Sequence, residues 1–163
     1  MALSNKHKDR MRRVIRLLMV TIAVFLILLA LVVPIGNNAV ALGVERELKS
    51  WSLPADTVIV ESTSVAGKLV GSGNGMQYFG ALLLRSDRSL EELQSFYADK
   101  QVDDYPCRVE PQVGTEIRPR GEFLMNNVAF STNADADGYY VLYVWGSAPS
   151  WAQDWLNLDL RGH

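Results

Sequence analysis

Asn133, Asp135 and Asp137, followed by Gly138, set side-chain oxygens at alternate positions before a tight bend, the first half of a calcium loop. The second half does not follow. The position that should bring a bidentate glutamate holds Val144, inside an expected strand, so a solvated hairpin tip competes with a weak extracellular calcium site. Trp145, Trp151 and Trp155 lie close together near the carboxyl end, with Tyr139, Tyr140 and Tyr143 upstream. Such a cluster serves either a partner-binding surface or an ordinary core, and Trp151, after Ala148-Pro149-Ser150, is the first choice for a surface contact.

Cys107 is the single cysteine, so an intrachain disulfide is excluded, and its place beside Val109 in an alternating run suits a buried small hydrophobe. Gly71-Ser72-Gly73-Asn74-Gly75 has the look of a phosphate loop. An expected strand follows it rather than a helix, and no Lys-Ser/Thr is present, so a glycine-rich hairpin is the better reading. The two histidines, His7 and His163, leave none between them for a Ser-His-Asp or Cys-His arrangement. One cysteine and two histidines also fall short of a structural zinc site. No carboxylate spacing marks a catalytic pair, and none of Lys49, Lys68 and Lys100 stands out as the base of a Ser-Lys pair. No catalytic residue and no cofactor is expected.

The elements that must hold these residues read as an α+β domain of one small antiparallel sheet with one packed helix. Thr57–Ala66 is rich in β-branched residues and predicts a strand. Met76–Ser86 is apolar on both sides, with Tyr78, Leu82 and Leu84 on one and Phe79, Ala81 and Leu83 on the other, as a central strand covered on both faces requires. Ser89–Lys100 predicts the packed helix. Ser89 and Glu92 form a capping box, Leu90, Leu93 and Tyr97 share a stripe, and Phe96 lies beside it. Cys107–Val113 alternates, and Pro111 confines it to an edge. Phe123–Thr132 and Tyr139–Gly146 flank Asp137-Gly138 as a hairpin. Leu156, Leu158 and Leu160 alternate in a last strand.

Charge divides the chain of 163 residues. Residues 1–16 carry six Lys and Arg against Asp9 and form a basic leader. Residues 17–35 carry no charge, and nineteen residues of helix cover roughly 28 Å, close to the hydrocarbon thickness of a bilayer. Residues 36–54 read as a stalk helix with Val40, Val44 and Leu48 on one face and Glu45 on the wetter side. Residues 55–163 form the folded domain. From residue 36 onward ten Lys and Arg are scattered among seventeen Asp and Glu, which gives phosphate backbones nothing to grip, so no nucleic acid is expected. The leader predicts a cytoplasmic amino terminus and an exported carboxyl-terminal body. Cleavage at Ala39-Val40-Ala41, with secretion, is the alternative to retention as an anchor, and the length of the apolar run favours retention.

The stretch Gly73-Asn74-Gly75-Met76-Gln77-Tyr78-Phe79-Gly80-Ala81, with Ser89-Leu90-Glu91-Glu92-Leu93, Asp137-Gly138-Tyr139-Tyr140 and Leu160-Arg161-Gly162-His163, resembles small membrane-anchored proteins of uncharacterised function from Gram-positive anaerobic bacteria. The resemblance spans much of 40–163. It implies an exported bacterial envelope domain and carries over no site residue. The expectation is therefore a single-pass protein partnered by the lipid bilayer. Its outer domain is non-enzymatic and binds another envelope protein or a small ligand. A secreted calcium-dependent module, or a small hydrolase using carboxylates or Ser-Lys, is the alternative.

Overall fold

The computed structural model describes residues 2–69, 75–121, 124, 128–147, 157 and 159. The first element is a single helix, α1, Ala2–Ser50. The expected boundary between apolar run and stalk does not interrupt it, and Pro34 lies inside it. Every side chain from Lys8 to Val32 is exposed. Val33 is 1% exposed, and from there a stripe of Val33, Asn37, Ala41, Glu45 and Leu48 is covered by protein. The steps of three and four residues keep one helix face turned inward. The residues expected to form a stalk are therefore packed into the fold.

The strands are β1 (Thr57–Gly67), β2 (Gln77–Ser86), β3 (Gln101–Val102), β4 (Tyr105–Pro106), β5 (Arg108–Pro111), β6 (Gly114–Glu116), β7 (Ala129–Ala134) and β8 (Tyr139–Ser147). One four-stranded antiparallel sheet has the order β1-β2-β8-β5, and β3–β4 and β6–β7 form two small ribbons. β2 is central, as its two-sided apolar pattern predicts. Leu82 and Leu84 pack with Leu48, Leu93, Tyr97 and Val109, while Phe79, Ala81 and Leu83 pack with Ile117, Leu124, Val128 and Phe130. Leu82, Leu83 and Leu84 are fully buried, each contributing roughly 1.5–3 kcal/mol.

The molecule thus has three layers. α1 and the short helix α2 (Leu90–Phe96) cover one face of the sheet, and the β6–β7 ribbon covers the other. Two helices share the face on which the sequence predicts one. α2 is also shorter than expected. Its Ser89–Glu92 capping box forms in full, but the helix ends at Phe96 with Tyr97 as C-cap. The chain turns there so that the Lys100 carbonyl can accept the Cys107 amide at 2.9 Å.

α1 lies close on β2 because Gly80 has no side chain. A Cβ there would stand 2.8 Å from Val44 Cγ1 and 3.0 Å from the Glu45 backbone nitrogen.

Two expectations on the second half of the chain are corrected. β7 and β8 do not pair with each other. β8 enters the main sheet between β2 and β5, and β7 pairs with β6. Gly138 is the pivot. Its φ of +88° suits glycine, and its carbonyl accepts the Ser86 amide at 2.9 Å, which directs β8 along β2. The edge strand stops at Pro111, so Val113 is 83% exposed instead of facing the core. Gln112, 5% exposed, folds inward and donates to the carbonyls of Val113, Gly114 and Glu116. The expected strand at 156–160 lies mostly outside the described residues.

Glu61 ties the ribbon to the sheet. Its carboxylate accepts the Ser131 and Thr132 amides at 2.7 and 2.9 Å. The Ser131 amide is the main reason its pKa falls to about 2 from an ordinary 4.5, partial burial opposes, and Thr132 adds to the fall.

Gly80→Ala should lower stability by about 1–3 kcal/mol in chemical denaturation, because backbone as well as a side chain must move away from the added methyl. Glu61→Gln should cost about 1–2 kcal/mol at neutral pH, the charge-assisted share of two solvent-accessible hydrogen bonds. A depressed folded pKa stabilises above the unfolded value and is lost as pH falls through the folded one. The gap between wild type and Glu61→Gln should therefore close on acidification from about pH 5 to about pH 2, measured as denaturation midpoints.

Candidate functional site

A fully buried polar group lies where α1 passes from full exposure to burial. It is Asn37, two residues beyond the apolar run. The Tyr78 hydroxyl donates to Asn37 Oδ1 at 2.6 Å, and Asn37 Nδ2 donates to Asp159 Oδ2 at 2.7 Å. Asp159 is 1% exposed. Beside it the Met76 amide donates to Asn157 Oδ1 at 2.7 Å. One helix side chain thus links the start of β2 to residues from the end of the chain. Burial pushes the Tyr78 hydroxyl up to about 12, with the Asp159 charge adding to it, so Tyr78 remains a donor at any physiological pH.

Two turns further along α1, Glu45 makes a second junction. It accepts Ser62 Oγ and Ser64 Oγ, each at 2.7 Å, and Lys49 Nζ at 2.6 Å. Burial raises the pKa of its carboxyl, yet the bonds from Lys49, Ser64 and Ser62 outweigh that and hold it below the usual range. The sequence reading put Glu45 on the wet side of a stalk. It is 8% exposed and faces β1. An Asn and a Glu at i and i+8 break an apolar stripe, so hydrophobic periodicity alone passes over them. The signal that could have found them is their spacing with Val33, Ala41 and Leu48.

The residues singled out by the sequence are dispersed. Trp145 is half-buried and packs against the Phe79 side of the core, while Trp151 and Trp155 lie outside the described residues. Asn133 is exposed one residue before the end of β7, and Asp135 and Asp137 are exposed on the crossing from β7 to β8. Among the described residues, no three of His, Cys, Asp and Glu come together as metal ligands. Residues 70–74 of the glycine run lie outside the described residues. The strands on either side of the run, β1 and β2, pair antiparallel.

Cys107 packs beside the Leu82 face of the core, and burial pushes its thiol up to about 12, which a backbone hydrogen bond at Arg108 only partly opposes. A thiol held neutral is a poor nucleophile.

Two clefts flank β5. A shallow one of about 550 Å³ lies between β5 and β6, lined by Glu110, Gln112, Glu116 and Arg118 with Val113 at its rim. Glu110 accepts the Tyr143 hydroxyl at 2.5 Å and the Arg120 amide at 3.0 Å. Arg120 holds a left-handed φ of 55°. Burial, and then the bond to Glu110, raise the Tyr143 pKa. The second cleft, about 210 Å³, lies between α2 and β5 and is lined by Gln94, Tyr97, Cys107 and Val109. Tyr97 is 1% exposed, and its hydroxyl has no hydrogen-bond partner among the described residues.

No protein-family model matches the chain, and no curated protein or solved structure does either.

The carboxylates described above are acceptors in the frame of the fold: Glu45 for a helix, Glu61 for a ribbon, Glu92 for a helix start and Glu110 for a turn. Each is already engaged by donors of its own fold.

Replacing Asn37 by Ala takes a buried partner from both the Tyr78 hydroxyl and the Asp159 carboxylate, and should cost about 1–3 kcal/mol. Tyr78→Phe should cost less. The double variant should lose less than the sum of the two, because Phe removes the hydroxyl whose acceptor is lost in Asn37→Ala. Denaturant titration followed by tryptophan fluorescence, run as a double-mutant cycle, measures that coupling, expected at about 1 kcal/mol.

Proposed function

We propose that the chain is a single-pass membrane protein whose basic leader stays in the cytoplasm and whose sheet domain stands outside as a non-enzymatic interaction domain. The observation that carries this reading is the exposure pattern of α1. Met11, Val14, Ile15, Leu17, Leu18 and Met19, and most large apolar residues on to Val32, are about half or more exposed on all sides of the helix. From Lys8 to Val32 no face of the rod is turned to the described part of the protein. A helix apolar all round needs an apolar solvent, and this one is long enough to cross a bilayer. The leader of Lys6, Lys8, Arg10, Arg12, Arg13 and Arg16 supports the direction.

The geometry beyond Val33 supports retention over cleavage. A cut after Ala41 would fall inside a helix face that is covered by Met76 and Tyr78, with Ala41 only 2% exposed. It would remove Asn37 and leave the Tyr78 hydroxyl and the Asp159 carboxylate buried without it. A cleaved product would lack a structural part of its own core.

The non-enzymatic reading rests on the same accounting. The cysteine is held neutral, and the well-placed carboxylates are consumed as ties. Among the described residues, the buried group with an unmet hydrogen bond is the Tyr97 hydroxyl, on a residue that lines the α2–β5 cleft. The resemblance to exported anaerobe proteins points to the same compartment.

The full chain expressed in a bacterial host should stay with the membrane through an alkaline carbonate wash and retain its amino terminus in intact mass measurement. A variant lacking residues 17–35 should leave the membrane. Protease added to intact spheroplasts should digest the sheet domain while the leader survives. Carbonate release of the full chain, a mature amino terminus at residue 42, or digestion only after lysis would each refute the reading.

A further inference from the structure

We infer that the Tyr78 end of the sheet is a lipid-contacting surface, seated in the headgroup layer of the bilayer that holds α1. The inference rests on the anchoring reading and adds an orientation to it. The apolar run ends at Ile35, and Gly36, Asn37 and Asn38 follow it. Asn37, bonded to Tyr78, lies two residues further, about 3 Å along the helix axis. The headgroup layer is roughly 5–7 Å thick on each side. The start of β2 therefore falls inside that layer, and Val33, already covered by protein, falls at its inner edge.

The direction of the sheet follows from its contacts with α1. Along the helix, Asn37 meets Tyr78, Val44 meets Gly80, and Leu48 packs with Leu82 and Leu84. β2 consequently runs away from the bilayer beside α1. Its antiparallel partners bring Ala66 and Gly146, the residues opposite Tyr78, to the same end. Ser86 stands eight residues on, roughly 26 Å further out. An average tilt of about 20° moves a point 10 Å from the helix axis by only about 3 Å, too little to exchange the two ends.

Among the described residues, the exposed charge at the near rim is acidic and gives anionic lipid no partner. Exposed groups at the far end include Asp56, Asp87, Asp135 and Asp137. At the near end Lys68 and Asp159 are buried, and Gly75 and Ser147 are at the surface. The exposed carboxylate of Asp103 flanks the near rim, beside Val40 and Ser147, and Asp104 follows it in the chain. Seating therefore does not depend on anionic lipid.

The test places the full chain in phosphatidylcholine nanodiscs. Single labelling sites are introduced as Gly75→Cys and Ser147→Cys at the near end, and as Asp87→Cys and Asp137→Cys at the far end. The background is Cys107→Ser. If that change unfolds the protein, Cys107→Ala serves as background, and the chain carrying Cys107 alone is labelled in parallel as the control. A fluorophore at each site is read against lipid carrying a headgroup spin label. Quenching at least threefold stronger at the two near sites than at the two far sites is the expected result, unchanged by added salt. Equal quenching at both ends in a chain that resists carbonate extraction overturns this inference alone. A chain that carbonate releases overturns the anchoring reading beneath it.

Discussion

The structure depends on one helix whose surroundings change along its length. α1 has no break over forty-nine residues, and its environment changes at Val33. From Leu17 to Val32 its side chains are uncharged and uncovered, so the helix satisfies its backbone internally and leaves its surface to whatever surrounds it. After that point the same helix supplies a wall of the sheet domain. The transition is marked by Asn37, whose amide has one donor and one acceptor engaged by Asp159 and Tyr78. A buried amide of this kind fixes both the rotation and the height of the helix against β2, because no shifted register satisfies both partners. Gly80 then allows the close approach that Val44 and Glu45 require.

The exposed strand edges of the sheet are managed as carefully as its core. An open edge invites pairing with another chain. Along β5 several outward-pointing groups are occupied. The Cys107 amide, just before the strand, donates to Lys100, the Val109 carbonyl accepts Gln94 Nε2 at 3.0 Å, and Pro111 has no amide to offer. β1 carries a bulge between Ile59 and Glu61, and Glu61 reaches across to β7. Both devices use residues that look unremarkable in the sequence: a glutamine on a short helix and a glutamate in a β-branched strand.

How much could be read in advance divides along the range of the interactions. β2 was legible because burial on both faces writes an apolar run, and α2 because a capping box is a local motif from Ser89 to Glu92. The edge position of β5 followed from Pro111, whose missing amide is a property of that residue alone. The pairing of β8 was not legible. Asp137-Gly138 is a good turn in either arrangement, and the choice between β7 and β2 is made by the Gly138–Ser86 bond, fifty-two residues apart in the chain. The helix face was misjudged for a related reason. Asn37 and Glu45 look wet in sequence, and their partners Tyr78, Asp159, Ser62 and Ser64 lie seventeen or more residues away. Periodicity arguments record side-chain polarity, whereas burial of a polar group depends on a partner that periodicity does not see.

That same distinction bears on what the acidic residues are for. A surplus of carboxylates suggests acid–base chemistry or cation binding when it is read as composition. In the folded chain the carboxylates with the most defined surroundings are those that accept from hydroxyls, amides or an ammonium of the fold, and the exposed ones, Asp135 and Asp137 among them, stand apart. A carboxylate that accepts two or three protein donors has little capacity left for a metal or a substrate proton, because its lone pairs are already committed. Lowered pKa values at Glu45, Glu61 and Glu92 are therefore signatures of architecture here, each traced to donors the fold supplies. Among the described residues, the buried side-chain group left without a partner is a neutral donor, the Tyr97 hydroxyl, on a residue that lines the α2–β5 cleft together with Cys107.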